Sequence, residues 1–314
     1  MKKQKTQLKG VLILMLTAMI WGSSFVAQSI GMEKIDAFTF NGIRILMGAA
    51  FLLPIIAVKY AVTGRNMTAE EKSDRRKTVR RTIFCGAVLG VIFFVAGNLQ
   101  QFAFYWSTSG KIAFLTSLYM FFVPMFGLVI GKRVAPVTWL CVAAGFAGVY
   151  MLTIDPAGDV GINKGDILAF LCAVVYGVHI LWIERVSDEV DGVLMSAVQF
   201  AVAGGLSFVM MFIFEKPNLT DIKSAILPLL YSGIMSCGVA YTLQIVGQKY
   251  TEATVAGLIM CTESVFAVLS AAVVLHELMT VRETIGCVVM FAAIVVSQLE
   301  EAGAFRRKKH AELR

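Results

Sequence analysis

The chain has 314 residues, of which 58% are hydrophobic and 16% are charged, and its mean hydropathy is +0.76. Soluble domains carry about 25% charged residues, so this composition excludes a soluble globular protein and predicts many membrane-spanning segments. The formal net charge of +7 does not indicate a nucleic-acid partner, because the basic residues stand in the short segments between apolar runs, where they determine membrane topology.

Ten apolar runs have about the length of a transmembrane helix. They cover approximately residues 10–30, 37–58, 82–107, 110–131, 136–154, 165–187, 192–214, 225–248, 252–276 and 283–299. We therefore predict an all-α integral membrane protein with ten transmembrane helices. The opening segment MKKQKTQLK leads into an apolar run that has no A-x-A-like cleavage site, so we interpret this run as a retained first helix and not as a signal peptide.

Lys and Arg are distributed unequally between the two sides of this predicted topology. With both termini in the cytoplasm, the cytoplasmic segments hold 21 of the 28 basic residues, the external segments hold 6, and Arg44 lies within a span. Because basic residues in short loops favour the cytoplasm, we expect a multi-pass plasma-membrane protein with cytoplasmic N and C termini. The basic linker at 59–81 and the basic tail at 300–314 would be cytoplasmic, and the linker a solvated loop near anionic lipid.

The sequence motifs do not indicate a metal, cofactor or nucleotide site. The six cysteines are spread one to an apolar run, with no CxxC pair, which favours small packing residues over disulfides or metal ligands. The sequence contains no GxxxxGK[ST] loop, so ATP-driven pumping is not indicated. We predict no metal and no cofactor.

The two halves of the chain are similar in sequence. An offset of 155 residues aligns GVLILMLTAMIWGSS with GDILAFLCAVVYGVH, and an offset of 143 aligns Gln101 with Gln244. We therefore predict two repeats, 10–154 and 165–299, of five spans each. An odd number of spans inverts the second copy in the membrane, which is typical of alternating-access transporters with a site between the repeats.

Three longer segments carry a resemblance to a known family. They are IWGSSFVAQSIGMEKIDAFTFNGIRILMGAAFLLP, IGKRVAPVTWLCVAAGFAGVYML and VVLHELMTVRETIGCVVMFAAIVV. These segments resemble the two EamA-type repeats of the drug/metabolite transporter (DMT) superfamily. The resemblance implies ten helices in two inverted five-helix halves, a central cavity lined mainly by helices 1, 3, 4, 6, 8 and 9, and export or exchange of small metabolites. The first repeat departs from the family pattern, since Lys132 and Arg133 stand where the family has a glutamate, which the second repeat retains as Glu277.

Polar residues inside the spans fall on the helices that this resemblance places around the cavity, whereas the fifth and tenth spans hold very few. Unpaired polar groups are costly in lipid, so this distribution favours a polar interior. Individually, these residues are also compatible with packing roles and interhelical hydrogen bonds. The candidate substrate-binding residues are Trp21, Ser24, Gln28, Asn98, Gln101, Thr116, Tyr119, Tyr176, His179, Tyr241, Gln244 and Glu263.

Glu263 is a carboxyl group deep inside an apolar span. It lies roughly 15 Å along a helix from Ala253, near the middle of a hydrocarbon core about 30 Å thick. Ionised groups are costly there and normally face a partner or a water-filled cavity. We expect Glu263 to couple transport to protons or to recognise a positively charged part of the substrate. The alternative is a neutral carboxyl that hydrogen-bonds to a neighbouring helix.

Three other features have both a functional and a structural interpretation. His179 could exchange protons at physiological pH or could be a structural hydrogen-bonding residue. Arg44 is interpreted as structural, pairing with Asp36 or Glu33 and not with a ligand. The small residues of AAGFAG, at 143–148, could form a homodimer face or could simply face lipid.

We therefore expect a secondary transporter whose partners are membrane lipid, a small-molecule substrate and, under the first interpretation of Glu263, protons. The mixture of aromatic, amide and carboxyl groups favours a small neutral, zwitterionic or cationic metabolite, such as an amino acid or a related amphipathic compound. An intramembrane enzyme is an alternative, although the sequence has no HExxH or GxSxG motif. A channel is a further alternative, although a channel needs a ring of repeated polar groups.

The predicted topology can be tested by labelling single cysteines in intact cells with a membrane-impermeant maleimide. A cysteine at Arg76, in the basic linker, should be protected, because the basic residues retain that segment in the cytoplasm. A cysteine at Asp159, between the two repeats, should be labelled and provides the external control. Labelling at Arg76 in intact cells would overturn the topology.

Overall fold

The computed structural model describes residues 2–64, 67–107, 109–132, 134–153, 162–275 and 280–301, and every regular element in these ranges is helical. Several predicted features lie outside the described residues: Arg133, Asp159, Glu277 and the tail from residue 302 onward.

The helices follow one another with short connections. They are α1 (Lys2–Met32), α2 (Ala37–Gly64), α3 (Ala69–Ala103), α4 (Ser109–Ser117), α5 (Tyr119–Val129), α6 (Pro136–Thr153), α7 (Lys164–Val186), α8 (Gly192–Phe214), α9 (Leu219–Ser224), α10 (Ile226–Leu230), a π-helix (Tyr231–Ala240), α11 (Tyr241–Gln248), α12 (Ala253–Met260), α13 (Glu263–Leu275) and α14 (Val281–Glu301).

Eight helical segments among the described residues are long and apolar enough to cross a membrane, and two shorter apolar helices, Pro136–Met151 and Thr284–Ser297, fall in the predicted fifth and tenth spans. Large apolar side chains are exposed along these segments, including Val58, Leu140 and Phe214. A surface of this kind is suited to lipid and not to water. The chain is therefore a multi-pass, all-helical membrane protein, and the total of ten spans stays a prediction.

The basic linker differs from its prediction as a loop, because most of it is helical. Helix α2 continues to Gly64, and α3 begins at Ala69. Thr68 caps α3: its hydroxyl accepts the Glu71 amide, and the Glu71 carboxylate accepts the Thr68 amide. The bond from the Thr68 backbone holds the pKa of Glu71 below its ordinary value. This reciprocal capping box satisfies two amides that a helix N terminus otherwise leaves unpaired, and so favours helix in a charged segment.

Two predicted spans are interrupted near their middle, and a third contains a π-helix. Leu118 separates α4 from α5, residues 261–262 separate α12 from α13, and a ten-residue π-helix stands between α10 and α11. The two breaks contact each other, since the Ser117 and Ser264 hydroxyls are 3.1 Å apart and the Cys261 thiol donates to the Ser117 carbonyl at 3.4 Å. Backbone hydrogen bonds continue through both breaks as i→i−3 turns, such as Leu118 to Leu115 and Thr262 to Ile259, and such tighter turns within a helix often mark functional hinges.

Helices α2 and α8 pack closely along their length because glycine faces the neighbouring backbone. A Cβ atom added to Gly42 would lie 3.1 Å from the Phe208 Cα, and one added to Gly204 would lie 2.9 Å from the Leu46 amide nitrogen. Small residues permit such close approach, which strengthens dispersion contacts where the hydrophobic effect between helices is absent.

Polar contacts hold the same two helices together at both ends. At one end the Glu215 carboxylate accepts the Phe38 and Thr39 amides, each at 2.7 Å. At the other end Lys59 pairs with Asp191 at 2.7 Å. Burial alone would raise the pKa of Asp191, but the Lys59 ammonium and the Leu194 amide hold it below its ordinary value. Helix α8 is thus fixed to α2 on both sides of the membrane.

Helix α7 is fixed to α4 and α5 in the same way. Asp166, in its first turn, pairs with Lys111 of α4 at 2.7 Å. Glu184, near its other end, pairs with Lys132, which follows α5. A second oxygen of Glu184 accepts the Ala253 amide at 3.1 Å, at the start of α12. These bonds join the two sequence halves, because α4 and α5 belong to the first half and α7 and α12 to the second.

The adjacent glycines of α8 provide a matched test of the close packing. Gly204 meets Leu46, whereas an added Cβ at Gly205 would have no heavy atom within 4 Å. We expect Gly204→Ala to lower the thermal midpoint of the detergent-purified protein, since overpacking costs about 1–3 kcal/mol. Gly205→Ala should leave the midpoint unchanged or raise it, since alanine in a helix is favoured over glycine by about 0.5–1 kcal/mol. Equal effects of the two changes would contradict the packing.

Candidate functional site: a central polar cavity

A cavity lies at the centre of the protein, where the interrupted helices meet α1, α2, α3 and α7. Its free volume is about 30 Å³, which is enough to admit water. Binding of a larger molecule would require helices or side chains to move.

Eight of the twelve candidate residues line this cavity. Helices α1 and α7 contribute three of them, the two interrupted helices three more, and α11 the remaining two. The eight are Trp21, Gln28, Thr116, Tyr119, Tyr176, Tyr241, Gln244 and Glu263.

The other four candidates lie outside the lining. The Ser24 hydroxyl donates to Ser232 at 3.5 Å. The Asn98 amide donates to the Ser207 hydroxyl at 2.9 Å. His179 is fully buried, and its Nε2 atom is 2.9 Å from the Gln199 amide oxygen. These three bonds join helices and satisfy polar groups that lipid would leave unpaired.

Gln101 is the fourth candidate outside the lining, and its neighbour Gln100 lines the cavity in its place. The Gln100 amide donates to the Thr116 hydroxyl at 3.3 Å. Adjacent residues of a helix point about 100° apart. The rotation of α3 about its axis therefore decides whether the amide of Gln100 or that of Gln101 faces the cavity. Gln101 is fully buried, and neither of its amide atoms has a hydrogen-bond partner among the described residues.

Six lining residues were not among the candidates. Phe25, Ile180 and Met260 form apolar wall, and Gln100, Ser236 and Arg44 are polar. The signal for Arg44 was present in the sequence, because an ionisable residue inside a span indicates a functional site by default. Its predicted pairing with Asp36 or Glu33 is not found among the described residues: Asp36 instead accepts the Tyr105 hydroxyl at 2.9 Å.

Glu263 occupies the first turn of α13, directly after a helix break. Its side chain is 4% exposed, and its Oε1 atom accepts the Tyr119 hydroxyl at 3.3 Å. Tyr119 itself begins α5, directly after the other break. The two breaks thus place a carboxyl and a phenol from different halves of the chain side by side at the cavity.

Aromatic rings form one wall next to this pair. The Trp21 and Tyr241 ring centroids are 4.5 Å apart, and the Tyr176 and Tyr241 hydroxyls are 2.9 Å apart. Such faces pack apolar groups and also attract cations through the ring quadrupole.

Several buried polar atoms at the cavity have no hydrogen-bond partner within the described part of the chain. They are Trp21 Nε1, Gln28 Oε1 and Gln244 Oε1. The Gln28 Nε2 atom donates to the Ser24 carbonyl at 3.3 Å, which identifies the unpaired atom as the amide oxygen, since only the nitrogen can donate to a carbonyl. Buried polar atoms are normally paired, so these three atoms are available to hydrogen-bond a ligand or water in the cavity.

An all-helical membrane protein with helices interrupted around a central polar cavity has an architecture that is typical of transporters. The sequence model of the EamA-like transporter family matches residues 8–154 and again residues 163–298. The chain belongs to this family, and the resemblance found in the sequence is confirmed.

Similar proteins share the transporter description. An uncharacterized transporter of Archaeoglobus fulgidus is 27% identical over 291 residues, which are 91% of this chain and 84% of that protein. The uncharacterized transporter YoaV of Bacillus subtilis is 22% identical over 313 residues, 96% of this chain and 99% of that protein. One solved crystal structure has the same fold, with a TM-score of 0.73 at 18% identity, covering 92% of this chain and 96% of that chain.

The neighbouring glutamines of α3 allow the cavity register to be tested. Gln101→Leu should raise the thermal midpoint, because it removes a buried amide without partners, whose desolvation costs about 1–3 kcal/mol, and it should leave transport intact. Gln100→Leu removes the bond to Thr116 and should weaken substrate binding. Both variants are measured by thermal unfolding and by flux in proteoliposomes. Loss of transport with Gln101→Leu alone would place the opposite face of α3 at the cavity.

Proposed function

We propose that this protein is a secondary transporter that moves a small metabolite, such as an amino acid or a related amphipathic compound, across the plasma membrane by alternating access. The observation that carries the proposal is the polar cavity bordered by two interrupted helices, with Tyr119 after one break and Glu263 after the other. Interrupted helices in corresponding positions of two repeats are the usual construction of a substrate site in secondary transporters.

We infer that the protein consists of two inverted five-helix repeats, 10–154 and 165–299, with both termini in the cytoplasm. The two separate matches to the family model support the repeats. The helix breaks support them too, since Leu118 and Cys261 are related by the offset of 143 that also aligns Gln101 with Gln244.

The contacts favour moving units that each combine helices from both repeats. Helix α8 is fixed to α2 at both ends, and α7 is fixed to α4 and α5 at both ends. A motion that separated the two sequence halves would break all four connections. The helix breaks at Leu118 and at residues 261–262 are better suited to movement, because several i→i−3 hydrogen bonds replace the regular i→i−4 bonds there and both breaks lie at the cavity.

Counterflow in proteoliposomes tests the proposed function. Vesicles that contain the purified protein and are loaded with an unlabelled compound should accumulate the labelled compound transiently, and the initial rate should saturate with concentration. Compounds are chosen from a metabolite pool by their ability to raise the thermal midpoint. A channel would give no saturable counterflow, and an intramembrane enzyme would return the compound chemically changed.

Proton coupling through Glu263 gives a separate expected outcome. The groups within its electrostatic reach are Tyr119, Cys172, Tyr241 and Cys261, and Arg44 lines the same cavity. A carboxyl in this setting can exchange a proton for a bound cationic group. Glu263→Gln, which mimics the protonated state, should therefore abolish the response of flux to an imposed pH gradient while downhill exchange of a neutral substrate persists.

The measurement compares wild type, Glu263→Gln and the control Glu70→Gln, which makes the same change at an exposed site. Flux is recorded with and without the pH gradient. Identical gradient responses in all three proteins would remove Glu263 from coupling and leave it a packing role.

A further inference from the structure

Arg44 is a guanidinium group buried in the membrane-spanning part of α2. Its side chain is 3% exposed and lines the cavity. Its Nε atom donates to Asn41 Oδ1 at 2.7 Å, and the Asn41 amide in turn donates to Asn98 Oδ1 and to the Gly97 carbonyl, each at 3.0 Å. This network holds the guanidinium through one nitrogen, and the guanidinium carbon also lies 5.4 Å from the Phe40 ring centroid.

The two terminal nitrogens of Arg44 have no hydrogen-bond or carboxylate partner in the described ranges of the chain. The nearest acidic residues along α2 and α8 are engaged elsewhere: Asp36 accepts Tyr105, and Glu215 accepts the start of α2. A buried guanidinium without a counter-charge is costly, and its planar pair of terminal nitrogens matches a carboxylate. Arg44 is therefore positioned to bind an anionic group that enters the cavity.

Arg44 and Glu263 lie at similar depths in the membrane. Gly22 of α1 packs on the backbone of Glu263, and Ser24 of α1 bonds to Ser232. The next residue, Gly233, packs on the Arg44 carbonyl. Positions two apart on α1 differ in height by about 3 Å, so the two charged residues stand at nearly the same level on different sides of α1.

The two charges do not neutralise each other, because they form no ion pair within 4.0 Å in the described residues. Tyr241 lies within electrostatic reach of both Arg44 and Glu263. Arg44 and Glu263 therefore line one cavity as separate ionisable groups, together with the rings of Trp21, Tyr176 and Tyr241.

The unpaired polar atoms of the cavity comprise both hydrogen-bond donors and hydrogen-bond acceptors. The Trp21 Nε1 atom is a donor, as are the terminal nitrogens of Arg44. The Gln28 and Gln244 amide oxygens are acceptors, as is the carboxylate of Glu263. A primary ammonium has three donors and a carboxylate accepts two parallel bonds from a guanidinium, so the free atoms match these two groups in number and kind.

We propose that the substrate is a small zwitterion of the α-amino acid type, whose carboxylate binds Arg44 and whose ammonium binds Glu263, Gln28 and Gln244. This proposal rests on the proposed transport function and deepens it by naming the substrate class. A substrate with only an anionic group would bring that group close to Glu263, and one with only a cationic group would bring it close to Arg44. Phe25, Ile180 and Met260 provide an apolar wall for the side chain.

The first experiment uses the wild-type protein and matched ligands. Thermal shift in detergent is measured with the protein amino acids, with their carboxamides, which lack the carboxylate, and with the corresponding deamino acids, which lack the ammonium. At least one amino acid should raise the midpoint, and its amide and deamino analogues should bind at least about tenfold more weakly, since each lacks one charge-assisted contact. Equal stabilisation by an amino acid and its amide would overturn the role of the carboxylate.

The second experiment tests the residue. Arg44→Gln should weaken binding of the stabilising amino acid by about 10- to 100-fold and should leave binding of its carboxamide nearly unchanged. Arg44→Lys retains the charge without the bidentate geometry and should give an intermediate loss. Arg80→Gln, the same change at an exposed site, is the control. Unaltered amino-acid binding in Arg44→Gln would refute the assignment.

Failure of this proposal is distinguishable from failure of the proposed function. Saturable counterflow of a compound that is not zwitterionic, with a rate unaffected by Arg44→Gln, would leave a transporter and remove the amino-acid site. Absence of counterflow with every compound that stabilises the protein would remove the transport function itself. If Arg44→Gln does not fold, the matched ligands on wild type still decide the question.

Discussion

The absence of water from the hydrocarbon core governs the placement of polar groups in this protein. A buried polar atom there is costly unless it is paired within the protein or faces a cavity, because lipid satisfies neither donors nor acceptors. The Asn98 amide and the His179 Nε2 atom are paired with Ser207 and Gln199 on α8, whereas Gln101, His179 Nδ1 and Gln199 Nε2 have no partner among the described residues. The unpaired atoms of Trp21, Gln28 and Gln244 meet at the cavity instead. Paired polar residues such as Asn98 and His179 therefore join helices into what we call the frame. The unpaired atoms of Trp21, Gln28 and Gln244 belong to the candidate site.

The frame and the site differ in how their helices are joined. Close glycine packing and bonds at both membrane faces connect α2 to α8, and such contacts resist movement. At the cavity, by contrast, the helices are interrupted, and the breaks are held by the weaker bonds Ser117–Ser264 and Cys261–Ser117. The departures from regular α-helix therefore lie at the cavity, where binding of a metabolite would require movement.

Sequence patterns predicted the membrane class, the position of most helices and the family, because long apolar runs depend only on local composition. They did not predict the register of α3, where Gln100 and Gln101 are equivalent by composition and tertiary packing chooses between them. The helix breaks were missed too, because Leu118 and Cys261–Thr262 contain neither Gly nor Pro and each break is stabilised by contact with the other. The orientation of Arg44 depends on Asn41 and hence on Asn98 of another helix, which no local pattern reveals.

The two charged cavity residues, Arg44 and Glu263, have uncharged counterparts in the other half of the chain. At the offset of 155, Arg44 corresponds to Gln199, and at the offset of 143, Glu263 corresponds to Met120. Gln199 is paired with His179, whereas Arg44 keeps its terminal nitrogens for the cavity. In the proposed cycle, inverted repeats exchange conformations between the inward-open and outward-open states. Because each half supplies a different charge, the two open states present chemically different sites, so their affinities for one substrate need not be equal.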